Sequence, residues 1–388
     1  MKIAYFTDNY YPQLNGIATS VDYYAQNLKK QGHTVYLFAP KIKGYKDQQD
    51  YVYRLPSIRA FPSLPDYIRI PLPIPDKNFL KIYQLDFDLV HAHGNGIFSL
   101  IGLAVARAKG VPYVLTFHTQ VDKFAHYFMQ GKLIKGEHLN DLLLRRFSNF
   151  CDGIITPSEK MRQELISSDV KKHIEVIPNF VELSKFDIPK KDYLHKMFNI
   201  PQSSQIVLSV GRLGKEKNFQ FLIKTFQKVT KISPSTHLIL VGEGLEYQRL
   251  IKLGIKLGLE NKFHMGGAIP TEDMPRAYAD ADMFVFPSTS EVHPMVVIEA
   301  AASGLPLIVA EDQAYEGLVI NNKNGFVLSL NQEEFAEKIV RLLKNPDLAK
   351  KMGQNSKALV KTTLDSKLLI NKLVRFYENT IKNYPPTV

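Results

Sequence analysis

The sequence predicts an α/β protein built from two doubly wound domains, and three observations carry that prediction. Short apolar, β-rich runs alternate with helix-forming segments from one end to the other, the pattern of parallel βαβ units. Each half opens in the same order, with a strand, a glycine-containing loop and a helix: Lys2–Phe6 leads to Asn15-Gly16, and Ile206–Val210 leads to Gly211–Gly214. The length of 388 residues suffices for two cores of ordinary size.

In chain order, Lys2–Phe6 reads as a strand and Asp22–Gln31 as the helix after it, stopped at Gly32. Between them, Asn15-Gly16 offers a backbone free to adopt positive φ and approach a ligand closely, or simply a tight turn. No G-x-G-x-x-G follows this strand, which disfavours a dinucleotide site. Thr34–Ala39 is the second strand. Tyr51–Asp76 differs in character, with six prolines and with Arg54, Arg59 and Arg69 among apolar residues. Prolines at that density favour extended structure. Arginines interleaved with apolar side chains can rest on an anionic membrane, or the stretch can pack as a loop on its own domain.

Phe87–Ala92 reads as a strand, Ile97–Lys109 as a helix, and Pro112–Phe117 as a strand that delivers His118 to its carboxyl end. Ligands in open α/β sheets sit outside such ends, although His91 and His93 lie at one too. Phe124–Phe150 mixes Lys132, Lys135, Arg145 and Arg146 with large apolar residues, a second candidate for anionic lipid. Gly153–Pro157 is a strand, Ser158 caps the helix Glu159–Ser167, and Asn179–Pro201 has no steady period. The expected boundaries are a first domain at 1–182, a linker at 183–204, a second domain at 205–364 and a final helical segment at 365–388.

The second domain opens with Gly211-Arg212-Leu213-Gly214-Lys215-Glu216-Lys217-Asn218, where Asn218 can cap the helix Phe219–Lys231. Arg212 and Lys217 in that loop are either solvated cations or the groups that neutralise a diphosphate, Arg by paired donors and Lys as a point charge. Further on, the strand Asp282–Pro287 leads to Glu291 in a loop and Glu299 about one turn into a helix over Met295–Ser303. Pro294 suits the first helical position. The amides of Met295 and Val296 then point out of the helix start, which favours an anionic group. The two glutamates can accept hydrogen bonds from sugar and ribose hydroxyls, or they are ordinary exposed residues. Helices over Glu333–Lys344, Asp347–Val360 and Asp365–Ile381 close the chain.

Composition excludes several classes. With 45% hydrophobic and 22% charged residues the chain is globular. The lone Cys151 permits no disulfide framework, so a reducing compartment is expected. The start does not resemble a signal peptide, and the longest uncharged apolar run, Ile97–Ala106, is far short of the ~20 residues that span a bilayer. A net charge of +11 suits nucleotides or anionic lipid, while no nucleic-acid motif is present.

Four motifs in order carry a resemblance: the Asn15-Gly16 loop, Thr116-Phe117-His118-Thr119, Gly211–Asn218, and Glu291-x7-Glu299 with the Phe286-Pro287-Ser288 before it. Together they resemble the family 4 retaining glycosyltransferases over nearly the whole chain. The segment from Thr116 through Asp122, His126 and Tyr127 looks like that of diacylglycerol glucosyltransferases. The resemblance implies the GT-B fold, with two Rossmann-like domains facing a cleft and the last helix crossing back to the first. It implies retaining, metal-independent transfer from a nucleoside-diphosphate sugar, UDP-glucose by appearance, with no cofactor. By resemblance Gly16 faces the donor diphosphate, Arg212 and Lys217 bind it, Glu291 holds the sugar, Glu299 the ribose, and His118 contacts the sugar near its anomeric carbon. Val292-His293-Pro294-Met295 departs from the family, which usually has Gly where Pro294 removes an amide. The implied acceptor is diacylglycerol, reached from the inner face of an anionic membrane through Lys132, Lys135, Arg145 and Arg146. A soluble or polyprenyl-linked saccharide is the alternative acceptor, and an epimerase or an inactive binding module the more distant reading.

Overall fold

The structure, a computed structural model, describes residues 1–13, 15–59, 69–72, 74, 76–94, 96–118, 145, 147–189 and 192–385. The chain forms two compact units, Met1–Asn179 together with Ser366–Val388, and Phe180–Asp365.

In the first unit the elements are β1 (Lys2–Thr7), α1 (Gly16–Lys30), β2 (Thr34–Pro40), β3 (Val52–Leu55), a short antiparallel pair β4 (Ser57–Arg59) and β5 (Arg69–Pro71), and α2 (Lys77–Gln84). They continue with β6 (Leu89–His93), α3 (Ile97–Lys109), β7 (Tyr113–Thr116), β8 (Gly153–Thr156), α4 (Glu159–Ser167) and β9 (Ile174–Val176). Seven strands lie parallel in the order β3-β2-β1-β6-β7-β8-β9. Ile3–Thr7 and the whole of β6 and β7 are buried, as a parallel sheet covered on both faces requires.

Helix α1 starts at Gly16, well before the expected Asp22, because Asn15 caps it: its Oδ1 accepts the amide of Ala18 at 2.9 Å. Gly16 is therefore the first helical residue, and the expected positive-φ turn does not form there. Arg54 also departs from expectation. It is largely buried, paired with Asp47 at 2.6 Å and donating to the carbonyl of Pro40 at 2.8 Å, so it is held inside its own unit.

The second unit contains α5 (Tyr193–Met197), β10 (Gln205–Val210), α6 (Phe219–Ile232), β11 (Thr236–Val241), α7 (Tyr247–Lys256), β12 (Phe263–Gly267) and α8 (Met274–Asp280). It continues with β13 (Met283–Phe286), α9 (Met295–Ala302), β14 (Leu307–Ala310), β15 (Gly325–Leu328), α10 (Gln332–Leu343) and α11 (Pro346–Thr363). Six parallel strands run in the order β12-β11-β10-β13-β14-β15. The stretch 183–204, read from sequence as a linker, is built into this unit. His195 is buried with Nδ1 3.0 Å from the Asp280 carboxylate, which also accepts the amides of Leu194 and His195 at 2.8 and 3.0 Å. Its buried histidine finds its partner outside the stretch, on α8, so no local apolar period marks it.

A final helix, α12 (Ser366–Asn383), belongs to the first unit. Tyr377 sends its hydroxyl into the core, 2.5 Å from His91 Nδ1 and 3.1 Å from the Tyr5 hydroxyl, and Lys372 pairs with Glu175 at 2.7 Å. Gly153 makes room for this helix, since a Cβ there would lie 2.8 Å from the Phe376 ring.

Candidate active site

Strand order reverses between β10 and β13 in the second sheet, and at such a switch point the carboxyl-end loops diverge and leave a crevice. The loop after β10 carries Arg212 and Lys217; the loop after β13 carries Glu291. The structure joins the two loops through Lys217 and Glu291. Lys217 Nζ lies 2.5 Å from Glu291 Oε1, with both side chains largely buried, and over the Phe286 ring at 5.7 Å. Arg212 pairs with Glu216 at 2.7 Å. Gly214 admits that carboxylate, because a Cβ there would sit 2.3 Å from Glu216 Oε2.

Backbone geometry sets the first loop. Gly242, at φ +143°, lies so close that a Cβ would fall 1.9 Å from the Gly211 carbonyl oxygen. Asn218 does not cap α6 with its side chain as the sequence suggests. It sits in the left-handed region at φ 54° and donates from Nδ2 to the Pro287 carbonyl at 3.1 Å, tying the two loops together.

Pro294 is the residue before α9 and not its first helical residue; its φ of −76° and ψ of 111° are extended. Its carbonyl accepts the amide of Val297 at 3.1 Å, and helix geometry leaves the amides of Met295 and Val296 without intrahelical acceptors. Glu299, partly buried in α9, accepts from the Tyr278 hydroxyl at 2.8 Å, and desolvation raises its carboxyl to about 7. Burial lowers His293, in the loop between, to about 4.

Three supporting residues escape a sequence reading. Asp312, just past β14, accepts the Glu291 amide at 3.1 Å through one oxygen and the Ala314 amide at 2.8 Å through the other. Tyr315 donates to the Ser288 carbonyl at 2.9 Å. The carboxyl-end rule points to Asp312 and Tyr315, whereas nothing in the helix of Tyr278 marks it. The sequence also holds two Asp-x-Asp triplets, carboxylates spaced to share a cation, and both are engaged with backbone. Asp88 accepts the Lys2 amide at 2.7 Å, Asp282 the Ile206 amide at 2.7 Å, and Asp280 holds α5.

In the first sheet the order reverses between β1 and β6. There Asp8 takes the Phe98 amide at 3.1 Å, capping α3 from another strand, and burial raises its carboxyl to about 6. His118 follows β7, buried, with Nε2 3.1 Å from His93 Nδ1. Gly16, on α1, is not among the residues joined to Arg212, Lys217 and Glu291 by any contact described. Arg145 is exposed, 3.8 Å from Asp169. Lys132, Lys135 and Arg146 lie outside the described residues, as do Thr119, Asp122, His126 and Tyr127.

Two family models match: "Glycosyltransferase Family 4" over residues 14–185 and "Glycosyl transferases group 1" over residues 190–359. The alpha-monoglucosyldiacylglycerol synthase of Streptococcus pneumoniae is 31% identical over 355 residues, covering 90% of this chain and 80% of that protein. The synthase of the same name from Acholeplasma laidlawii is 26% identical, covering 93% of each. A GDP-mannose-dependent alpha-mannosyltransferase of Mycobacterium tuberculosis is also 26% identical, covering 86% of this chain and 85% of that protein. Among solved structures, sucrose-phosphate synthase from Thermosynechococcus elongatus superposes with a TM-score of 0.78 at 20% identity over 98% and 99% of the two chains. Anabaena HepE in complex with UDP-glucose gives 0.77 at 18% identity over 98% and 100%. Likeness at these identities speaks for the fold alone.

Proposed function

The chain belongs to glycosyltransferase family 4, and from that premise we propose that it moves glucose from UDP-glucose to diacylglycerol, retaining the anomeric configuration without a metal. Its fold is GT-B. The observation that carries the donor reading is the meeting of Lys217 and Glu291 at the switch point of the second sheet, with Arg212 on the same loop as Lys217 and a helix start whose first amides have no intrahelical acceptors. Both cations already hold a carboxylate, so an arriving diphosphate exchanges partners with Glu291 and Glu216. Glu291, released from Lys217, is then available to the sugar hydroxyls. His118 supplies the first unit's contact to the sugar, and Gly16 faces the diphosphate.

The transfer itself breaks the bond from C1 to the diphosphate oxygen and forms the bond from C1 to the acceptor oxygen on the same face. The acceptor's proton passes to the leaving diphosphate, whose growing charge Arg212, Lys217 and the amides of Met295 and Val296 stabilise. The glucosyldiacylglycerol synthases among the relatives support the glucosyl group and the lipid acceptor. The reading is tested with radiolabelled UDP-glucose, GDP-mannose and vesicles that carry diacylglycerol. Label from UDP-glucose is expected in a single lipid-extractable product. Label confined to water-soluble saccharides sinks the lipid acceptor, and no transfer from any sugar nucleotide sinks the enzyme assignment.

Among the described residues no helix is long and apolar enough to cross a membrane. Exposed Ile58, Leu80, Tyr83, Ile97 and Leu100 lie on the first unit, which also carries Lys132, Lys135, Arg145 and Arg146. Each cation near an anionic leaflet contributes about 1 kcal/mol, within a Debye length. Binding is expected to anionic vesicles, weakly to neutral ones, with release at high salt. Reversing the four charges to Glu is expected to cut vesicle binding and glucosyl transfer together while UDP-glucose affinity holds. Equal binding to neutral and anionic vesicles would count against the electrostatic part.

Glu299 makes the donor site pH-dependent. A ribose hydroxyl donates to the ionised carboxylate, so binding draws the proton off a group that titrates near 7 in the free protein. UDP-glucose affinity is therefore expected to fall by up to about tenfold per pH unit below 7 and to level off above it. Calorimetry between pH 5.5 and 8 checks this (about 2.5 units spanning the expected titration), and the slope is expected to vanish in Glu299→Gln. A slope that survives the substitution assigns the proton elsewhere.

A further inference from the structure

The carboxyl ends of β6 and β7 carry stacked histidines, of which the transfer reading uses only His118. His93 Nδ1 lies 3.1 Å from His118 Nε2, with the rings 26° apart and their centroids at 5.4 Å. His91 covers His93 at a centroid distance of 4.0 Å, and the Tyr5 ring meets it edge-on at 4.6 Å. His93 is fully buried, and its Nε2 has no hydrogen-bond partner among the described residues. Burial keeps both rings neutral at pH 7, holding His93 well below its ordinary range and His118 near 4.

A neutral imidazole carries one proton, and one nitrogen of the 3.1 Å pair must donate. If His118 Nε2 donated, His93 would carry its own proton on Nε2, leaving a buried N–H with no acceptor. If His93 Nδ1 donates, the orphan Nε2 is only a bare lone pair. Orphaned buried N–H groups are the rarer and costlier kind, so the second arrangement wins. His118 must then carry its proton on Nδ1.

We infer that His93 is a positioning residue that holds His118 as the Nδ1–H tautomer, so that His118 meets its ligand as a hydrogen-bond donor and not as a base. Only the nature of that ligand, a hydroxyl oxygen of the transferred sugar, rests on the proposed reaction. A donor there is unable to accept the acceptor's proton, which leaves the departing diphosphate as the base.

Two experiments on the full chain decide it. In protein carrying 15N-histidine, two-bond proton–nitrogen correlations at pH 7 are expected to show His118 protonated on Nδ1 and bare on Nε2, with assignment from the peaks lost in His118→Asn. A protonated Nε2 on His118 overturns the inference, and this readout stands whether or not glucose is the transferred group. In the second, His93→Phe keeps the ring but removes the hydrogen bond. It is expected to lower kcat about 10- to 100-fold, the range for residues that orient a functional group, with the Kd for UDP-glucose within about twofold. His93→Asn, whose amide can donate from the position of Nδ1, is expected to recover most of that loss. Equal losses in both variants, or a loss in donor affinity alone, would refute the positioning role. A wild type inactive with every donor and acceptor would defeat the transfer reading, with the tautomer still decided by the spectrum.

Discussion

Replacing Lys217 or Arg212 with alanine is expected to lower kcat/KM by at least ~10²-fold, while circular dichroism stays native. Each cation faces charge that grows on the leaving diphosphate, and such stabilisation appears mainly in kcat. The two variants are expected to differ in stability. Lys217→Ala removes the cation beside Glu291, a largely buried carboxylate, whereas Arg212 is about a third exposed and its pairing with Glu216 is closer to water. Thermal melts should therefore show the lower Tm for Lys217→Ala. Activity within a few-fold of wild type in both would remove the diphosphate from this loop.

Gly242→Ala is expected to be strongly destabilising to the second unit. The added Cβ meets a backbone oxygen, that of Gly211, at 1.9 Å, and a backbone atom does not swing aside as a side chain can. Strain at φ +143° adds to the overpacking, for a combined cost of roughly 3 kcal/mol or more. For a unit of this size that lowers Tm by roughly 5–10 °C. Because the displaced residue precedes Arg212, donor binding is expected to weaken as well. Gly258→Ala is the control: its φ is +70°, but nothing lies within 4 Å of the added atom, so only backbone strain of roughly 1 kcal/mol remains. Similar melting points for the two variants would show that the close approach at Gly242 is not a constraint.

The parts of this molecule that depend on local pattern are legible in its sequence. Buried parallel strands write themselves as apolar runs, which is why strands are found from sequence at Lys2–Phe6, Ile206–Val210 and Asp282–Pro287, the last observed at Met283–Phe286. The carboxyl-end rule then singles out the loops with Arg212, Lys217 and Glu291. What escapes depends on partners far along the chain. Asn218 follows a loop and precedes a helix, as a cap does, yet its amide is drawn to Pro287, 69 residues on. Gly16 sits beside Asn15 as in a turn, but Asn15 accepts from Ala18 and starts a helix. The segment around His195 looks solvated because its partner, Asp280, is 85 residues away. Pairings at such separations leave no local period to read.

The return of α12 has a consequence for synthesis. The core around Tyr5 and His91 is closed by Tyr377, on an element made after the whole of the second unit. On the ribosome, residues 180–365 can therefore reach their native packing while the earlier-made sheet still lacks one of its helices. The half that leaves the exit tunnel first is the half completed second. During that interval its open flank, where Phe376 later covers Gly153, is the surface a chaperone would guard and a protease would find.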